Sequence, residues 1–144
     1  MTRGFTLLEL VVVMVIAMLA LSIVAPKFAA LLPGVTLKTY SQQTASLLRM
    51  ARSEAIAQAQ ATELVFDGQA RQTRILGAEQ TYAWPKNIQL LFTAQNGIQA
   101  NSPQPRLIFY PDGSASGGLV TLSSSSGQYR IEVNWLTGSV RTLE

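Results

Sequence analysis

The 144-residue chain contains no cysteine and no histidine. Without cysteine there is no disulfide framework and no thiol chemistry. Without histidine the commonest metal ligand and the commonest general base are both missing. Charge is sparse as well: 11 Lys and Arg stand against 8 Asp and Glu, a formal net charge of +3. The basic residues never form a run of five or more, so composition gives little support for nucleic acid as a partner. The aspartates, Asp67 and Asp112, are far apart in the chain and leave no acid-rich loop for calcium. Carboxylates do not cluster elsewhere, and the serines at 123–126 read as a polar loop with no recognisable base nearby. No catalytic residue, metal or cofactor is expected, and the chain reads as something other than an enzyme.

What the chain does have is one long apolar run. Residues 10–24 are apolar except for Ser22, behind a very short, positively charged start, Met1-Thr2-Arg3-Gly4. The 21 residues of 5–25 would form a helix of roughly 31 Å, about one hydrocarbon thickness. Pro26 then removes a backbone donor and disfavours helix at Ala25. Composition alone leaves three readings open. The run can be a signal peptide cut near Ala20-Leu21-Ser22, a plain membrane anchor, or a buried core helix, and its length argues against the last.

Glu9 separates them. A carboxylate in an apolar stretch costs about 2.5–3.5 kcal/mol at mid-membrane and less near a helix end. A plain anchor has no use for it. Near the start of the helix it can snorkel to the headgroups and gain from the positive end of the helix dipole. It can also answer a cation, and a new N-terminus at Phe5 supplies one.

The hexapeptide Gly4-Phe5-Thr6-Leu7-Leu8-Glu9 with its apolar continuation resembles the processing signal of type IV pilins and type II secretion pseudopilins. The resemblance implies cleavage between Gly4 and Phe5 by prepilin peptidase on the cytoplasmic face, and N-methylation of the Phe5 amine by the same enzyme. It implies subunit assembly through Glu9, which meets the Phe5 amine of a neighbouring subunit. It places the N-terminus in the cytoplasm and the head in the periplasm of a single-pass inner-membrane protein that later enters a periplasmic filament. Gly4 suits the cleaved position because a residue without Cβ lets a protease approach the backbone closely.

Beyond the apolar run, Pro26 and Leu31-Leu32-Pro33-Gly34 predict helix breaks, serving as a plain linker or as a flexible joint. Residues 34–61 read as an amphipathic helix. Tyr40, Thr44, Leu47, Leu48, Ala51, Ala55 and Ala59 share one face, while Arg49, Arg52 and Glu54 form a solvated face or meet a neighbouring subunit. After Ala61 the period becomes two. Strands are expected at 63–66, 73–76, 88–92, 106–110, 119–122, 129–135 and 140–143, with turns at Asp67-Gly68, 111–118 and Thr137-Gly138. Phe109 and Trp135 are expected in the core. The predicted organisation is a leader at 1–4, a membrane and filament-core helix at 5–33, a head helix at 34–61 and a β head at 62–144. That is an α+β class: a long hydrophobic N-terminal helix followed by an antiparallel β-sheet or sandwich head.

Three head segments resemble the H-type minor pseudopilin of type II secretion and related minor pilins. They are Arg52-Ser53-Glu54-Ala55-Ile56-Ala57, the loop from Phe109 to Gly118, and Trp135-Leu136-Thr137-Gly138-Ser139-Val140-Arg141. This implies a structural role in a pseudopilus that exports folded proteins across the outer membrane. The implied partners are major and minor pseudopilins, prepilin peptidase and an inner-membrane assembly platform. A type IV minor pilin is the alternative. In that case Arg130 and Arg141 on the last hairpin, with Arg71 and Arg74 elsewhere, are the residues available to DNA, although Glu132 and Glu144 dilute the charge.

Overall fold

The computed structural model describes residues 6–95 and 102–143, and side chains outside residues 23–35. Gly4 and Phe5, the expected cleavage site, lie outside the described residues. The chain divides into two compact units, Met1–Leu32 and Pro33–Glu144.

Helix α1 (Leu7–Gln58) carries no break at Pro26 or Pro33, contrary to the interruption both prolines predict. A proline inside a helix forfeits one N–H bond and crowds the preceding turn, at about 3 kcal/mol. The neighbouring Ala29, Ala30, Leu31, Leu32 and Leu37 are strong helix formers and offset part of that cost.

In the first unit, twelve large apolar side chains between Leu7 and Leu21 are 47–82% exposed. They point to every side of the helix, so no single face of this unit covers them. Among the described residues no helix is both long and apolar enough to cross a membrane. The apolar stretch 5–25 extends past the described side chains at both ends.

In the second unit α1 buries Leu37, Ser41, Thr44, Ala45, Leu47, Leu48, Ala51 and Ala55. The three alanines let a sheet approach the helix axis closely. The buried hydroxyls are satisfied within the helix: Ser41 Oγ donates to the Lys38 carbonyl and Thr44 Oγ1 to the Tyr40 carbonyl. The helix ends in a Schellman turn. Gln60 N–H bonds the Ala55 carbonyl and Ala59 N–H bonds the Ile56 carbonyl. Ala59 holds the left-handed position with φ 51°. The sequence reading carried the helix to residue 61, three residues beyond Gln58, and no glycine stands at the observed end.

Among the described residues, eight strands follow in two antiparallel sheets. The first has the order β3-β2-β1-β5, from β1 (Thr62–Asp67), β2 (Gln72–Ile75), β3 (Thr81–Ala83) and β5 (Arg106–Phe109). The second has the order β4-β6-β7-β8, from β4 (Gln89–Ala94), β6 (Gly118–Ser124), β7 (Gly127–Val133) and β8 (Val140–Leu143). The register places Leu64 opposite both Ile75 and Leu107, and Val120 opposite both Phe92 and Ile131. These side chains form the inner faces with Phe66, Phe109, Leu122 and Val133. Phe66 of the first sheet stacks on Phe92 of the second, with centroids 4.9 Å apart. Trp84 is buried between strands and donates its Nε1 hydrogen to Thr73 Oγ1 at 2.9 Å.

Replacing Ala59 by glycine removes the Cβ penalty of the left-handed turn. Ala59→Gly is expected to raise stability by about 0.5–1 kcal/mol in urea unfolding. An unchanged or lower midpoint contradicts this helix end.

Candidate functional site

Among the described residues, two of the places that concentrate organised polar chemistry bear on function. The first is the start of α1. Thr6 Oγ1 accepts from Glu9 N–H at 3.3 Å, while the Thr6 carbonyl accepts from Leu10 N–H at 3.2 Å. Thr6 is therefore the N-cap, and Thr6-Leu7-Leu8-Glu9 has the spacing of a capping box. That signal was legible in the sequence, where Glu9 was weighed without its cap. Glu9 is the acidic residue of the first turn, and its side chain is exposed. Among the described residues it has no ion-pair partner.

The second place is a bracket in the second unit. Arg52, halfway out of the core, reaches from α1 across two loops. Its Nε donates to the Gly113 carbonyl at 2.9 Å and its Nη2 to the Thr137 carbonyl at 2.8 Å. One residue turn earlier, Arg49 donates to the Val140 carbonyl at 3.3 Å. The expected solvated face of this helix is thus partly a clamp. A planar guanidinium suits the task because its donors point in fixed, diverging directions.

Each clamped loop is organised by its own side chains. Asp112 Oδ1 accepts from Ser114 N–H at 2.9 Å and Ser114 Oγ at 2.6 Å. Those bonds hold the exposed Asp112 carboxyl below its ordinary range. Asn134 Oδ1 accepts from Leu136 N–H and Thr137 N–H, each at 3.0 Å. Ala115 N–H bonds the Trp135 carbonyl at 2.9 Å and joins the loops directly. Gly113 and Gly138 have φ 86° and 61°, and a Cβ on Gly138 would collide with the Gly113 carbonyl oxygen. The three segments that looked related to one family in sequence therefore meet at one point. Phe109 is buried as expected. Trp135 is not: it follows the end of β7 and is 54% exposed. The Asn134 turn lifts it out of the strand alternation that predicted a core position.

Of the basic residues considered for DNA, Arg130 and Arg141 share one face of the β7–β8 pair, while Arg74 belongs to β2 in the other sheet. Arg71 Nη2 lies 2.7–3.2 Å from the carbonyls of Pro85, Lys86 and Ile88, binding the loop before β4. Arg141 lies directly opposite Glu132 in the β7–β8 register. A groove of about 670 Å³ lies between α1 and strands β2 and β3, lined in part by Tyr40, Leu47, Met50, Thr73 and Tyr82. Its lining holds no carboxylate or amine. Burial pushes the Tyr40 phenol up to about 12, with Thr44 and the Arg71 charge pulling weakly the other way. A phenol so held stays neutral and offers no base at physiological pH.

The family model described as Type II transport protein GspH matches residues 41–138. The prokaryotic N-terminal methylation motif matches residues 1–25. The chain is 29% identical over 140 residues to type II secretion system protein H of Xanthomonas campestris pv. campestris, covering 97% of this chain and 82% of that one. Among solved structures it is similar to the minor pseudopilin EpsH from the type 2 secretion system of Vibrio cholerae. The TM-score is 0.61 at 17% identity, over 75% of this chain and 93% of that one. It is also similar to the type IV minor pilin FimU of Pseudomonas aeruginosa, with TM-score 0.57 at 14% identity over 75% of this chain and 88% of that one. The two structures share the pilin-like fold with this chain. The matched span 41–138 takes in Arg52, Gly113 and Thr137.

Loss of the bracket is expected to be costly. Arg52→Ala should destabilise the second unit by about 2–3 kcal/mol, and Arg52→Lys by about half as much, since an ammonium cannot fork to two carbonyls. Urea unfolding measures both, and equal stability of all three proteins contradicts the clamp. The buried phenol sets a second expectation. The folded Tyr40 holds its proton from the ordinary value of 10.0 up to about 12, whereas the unfolded chain releases it. The stabilisation is full below 10.0 and disappears as pH rises through about 12. Thermal melts between those limits should show a declining midpoint, and Tyr40→Phe should flatten the decline.

Proposed function

Because the chain belongs to the GspH family of type II transport proteins, we propose that it acts as a minor pseudopilin, a structural subunit of a type II secretion pseudopilus. One physical observation carries the assembly mechanism: a capped helix start with Glu9 in its first turn, followed by twelve exposed apolar side chains. If only the exposed part of each is removed from water, the gain is roughly 1 kcal/mol per side chain. A lipid bilayer supplies that cover first, and a bundle of like helices supplies it in the filament.

Prepilin peptidase cuts the Gly4–Phe5 peptide bond and methylates the freed Phe5 amine. The Glu9 carboxylate of one subunit then meets the Phe5 amine of the next. Thr6 caps the turn that carries Glu9 and so fixes the place of that residue at the helix start. A desolvated pair of this kind adds little net stability, but a mismatched stagger leaves a buried charge unpaired. It sets register. An uncut leader would bury the amine in a peptide bond and remove the cation. Before assembly the subunit is anchored in the inner membrane with its head in the periplasm. It contacts other pseudopilins and the inner-membrane assembly platform.

Mass spectrometry of the native protein should find Phe5 as the first residue, carrying one methyl group. Glu9→Ala should lower incorporation into pseudopili by about tenfold or more while membrane insertion is kept, and Gly4→Ala should act through loss of cleavage. A native protein that begins beyond residue 20, or normal secretion by the Glu9→Ala strain, overturns this mechanism.

A further inference from the structure

The free edge of the first sheet borders the groove between α1 and strands β2 and β3. Strand β3 ends that sheet: β2 pairs with it on one side, and among the described residues no strand pairs with it on the other. The register fixes which backbone groups are left over. Trp84 N–H bonds the Arg71 carbonyl, and two steps along the same ladder Tyr82 stands opposite Thr73. Bonded residues alternate in an antiparallel pair, so Tyr82 turns its N–H and C=O toward β2. Thr81 and Ala83 turn theirs outward. Both residues are exposed, and among the described residues their outward backbone groups have no backbone partner.

The helix beside this edge has an unusual outer stripe. Thr39, Gln43, Ser46 and Met50 recur at steps of four, three and four, so they lie on one face of α1. All four are exposed, and they line the groove together with Tyr82 and Ala83. Residues 39–48 contain no Asp, Glu, Lys or Arg, although Lys38 and Arg49 stand immediately on either side. The outer face of a solvated helix normally carries charge. Hydroxyls, an amide and a thioether, set beside the last strand of a sheet, make a surface that one more strand would cover. The two features specify what fits. Unpaired N–H and C=O groups at strand spacing select a polypeptide backbone. An uncharged lining selects uncharged side chains, because an ion placed there would lose water and meet no counter-charge.

We propose that the groove between α1 and β3 takes an extended, uncharged segment of a partner polypeptide, which adds a strand to the edge of the first sheet. Thr81 and Ala83 supply the backbone donors and acceptors. Alternate side chains of the added strand turn toward Gln43, Ser46 and Met50, and the others face solvent. A neutral glycan could use the amides of Gln42 and Gln43, but it would leave the strand edge unanswered. With three residues β3 is too short to recruit a strand by its edge alone, and the stripe on α1 supplies the rest of the contact. The groove is complete within the second unit, so its occupancy does not depend on how the apolar start of α1 is covered.

The full-length protein in lipid nanodiscs is titrated with a blocked hexapeptide of alternating threonine and valine, and amide exchange is followed residue by residue by NMR. At a peptide concentration about tenfold above Kd, exchange at Thr81 and Ala83 should slow about tenfold, while Tyr82, already bonded to β2, stays as it was. Ala83→Pro removes an outward donor and leaves the β2 ladder intact, so it should weaken binding about tenfold with the thermal midpoint unchanged. Gln43→Glu puts a charge into the groove and should weaken binding by about the same factor. Should Ala83→Pro lower the thermal midpoint, Gln43→Glu decides, and binding at full strength by that variant overturns the proposal. A peptide that leaves exchange at Thr81 and Ala83 unchanged also overturns it. The same holds if the peptide equally protects Leu90 and Phe92, the outward residues of β4 at the end of the other sheet. Replacing the valines of the peptide by glutamates should abolish protection, and equal protection by that peptide overturns the neutral groove. Maltohexaose is the glycan probe: if it shifts the resonances of Gln42 and Gln43 while the peptide does not, the groove is a sugar site and no strand is added.

Discussion

The first stretch of α1 presents apolar side chains on all its sides and has nothing within its own unit to cover them. Everything else follows from where that cover comes from. Water is excluded as a permanent environment, because twelve large apolar groups cannot stay hydrated without driving association. Lipid and a bundle of like helices are both acceptable, and they are nearly equivalent. Hydrocarbon tails are about as apolar as leucine, so hydrophobic burial supplies almost no preference for the bundle over the bilayer. A preference between the two therefore has to come from the few polar groups near the helix start. Thr6 and Glu9 hold that position. Thr6 satisfies one orphan donor of the first turn, and Glu9 puts a carboxylate in that same turn.

The head solves a different problem. Its helix must lie close to the sheets while remaining continuous with a segment that has other partners. Ala45, Ala51 and Ala55 allow the close approach, and Leu37, Leu47 and Leu48 fill the volume that remains. Small side chains, however, cannot hold two glycine-bearing loops. The carbonyls of Gly113 and Thr137 need donors, and apolar packing provides none. One arginine serves both. The same economy recurs at Arg71, which gathers the carbonyls before β4. Three arginines that look like solvent-facing charge in the sequence are thus spent on backbone groups.

Much of this organisation was legible in the residues. The change of period from helical to alternating after Ala61 marked the border between helix and sheets. Asp67-Gly68 and Thr137-Gly138 marked two hairpins that the register bears out. Strand β3 went unnoticed because three residues, Thr81-Tyr82-Ala83, are too few to show alternation. Trp135 was misplaced for the opposite reason. Perfect alternation from Tyr129 continued one step beyond the strand, into a turn set by Asn134. The prolines at 26 and 33 were read by their local preference, whereas the helix formers around them decide the outcome. Arg52 lay beyond sequence reasoning, since its two acceptors are carbonyls 61 and 85 positions away and no side-chain pattern announces a backbone partner.

An assembly built from a shared apolar core and a shared carboxylate has a further requirement. Every subunit that carries the same start can satisfy the same contact, so the core interaction cannot tell one kind of subunit from another. Specificity is a difference of affinities, and it needs a surface where subunits differ. The apolar start cannot be that surface, because an apolar side chain accepts another apolar side chain much as it accepts a lipid tail. Exposed side chains of a head are not bound to so uniform a contact. In such an assembly discrimination between neighbours is a demand on the head, and the energy of association is a demand on the helix.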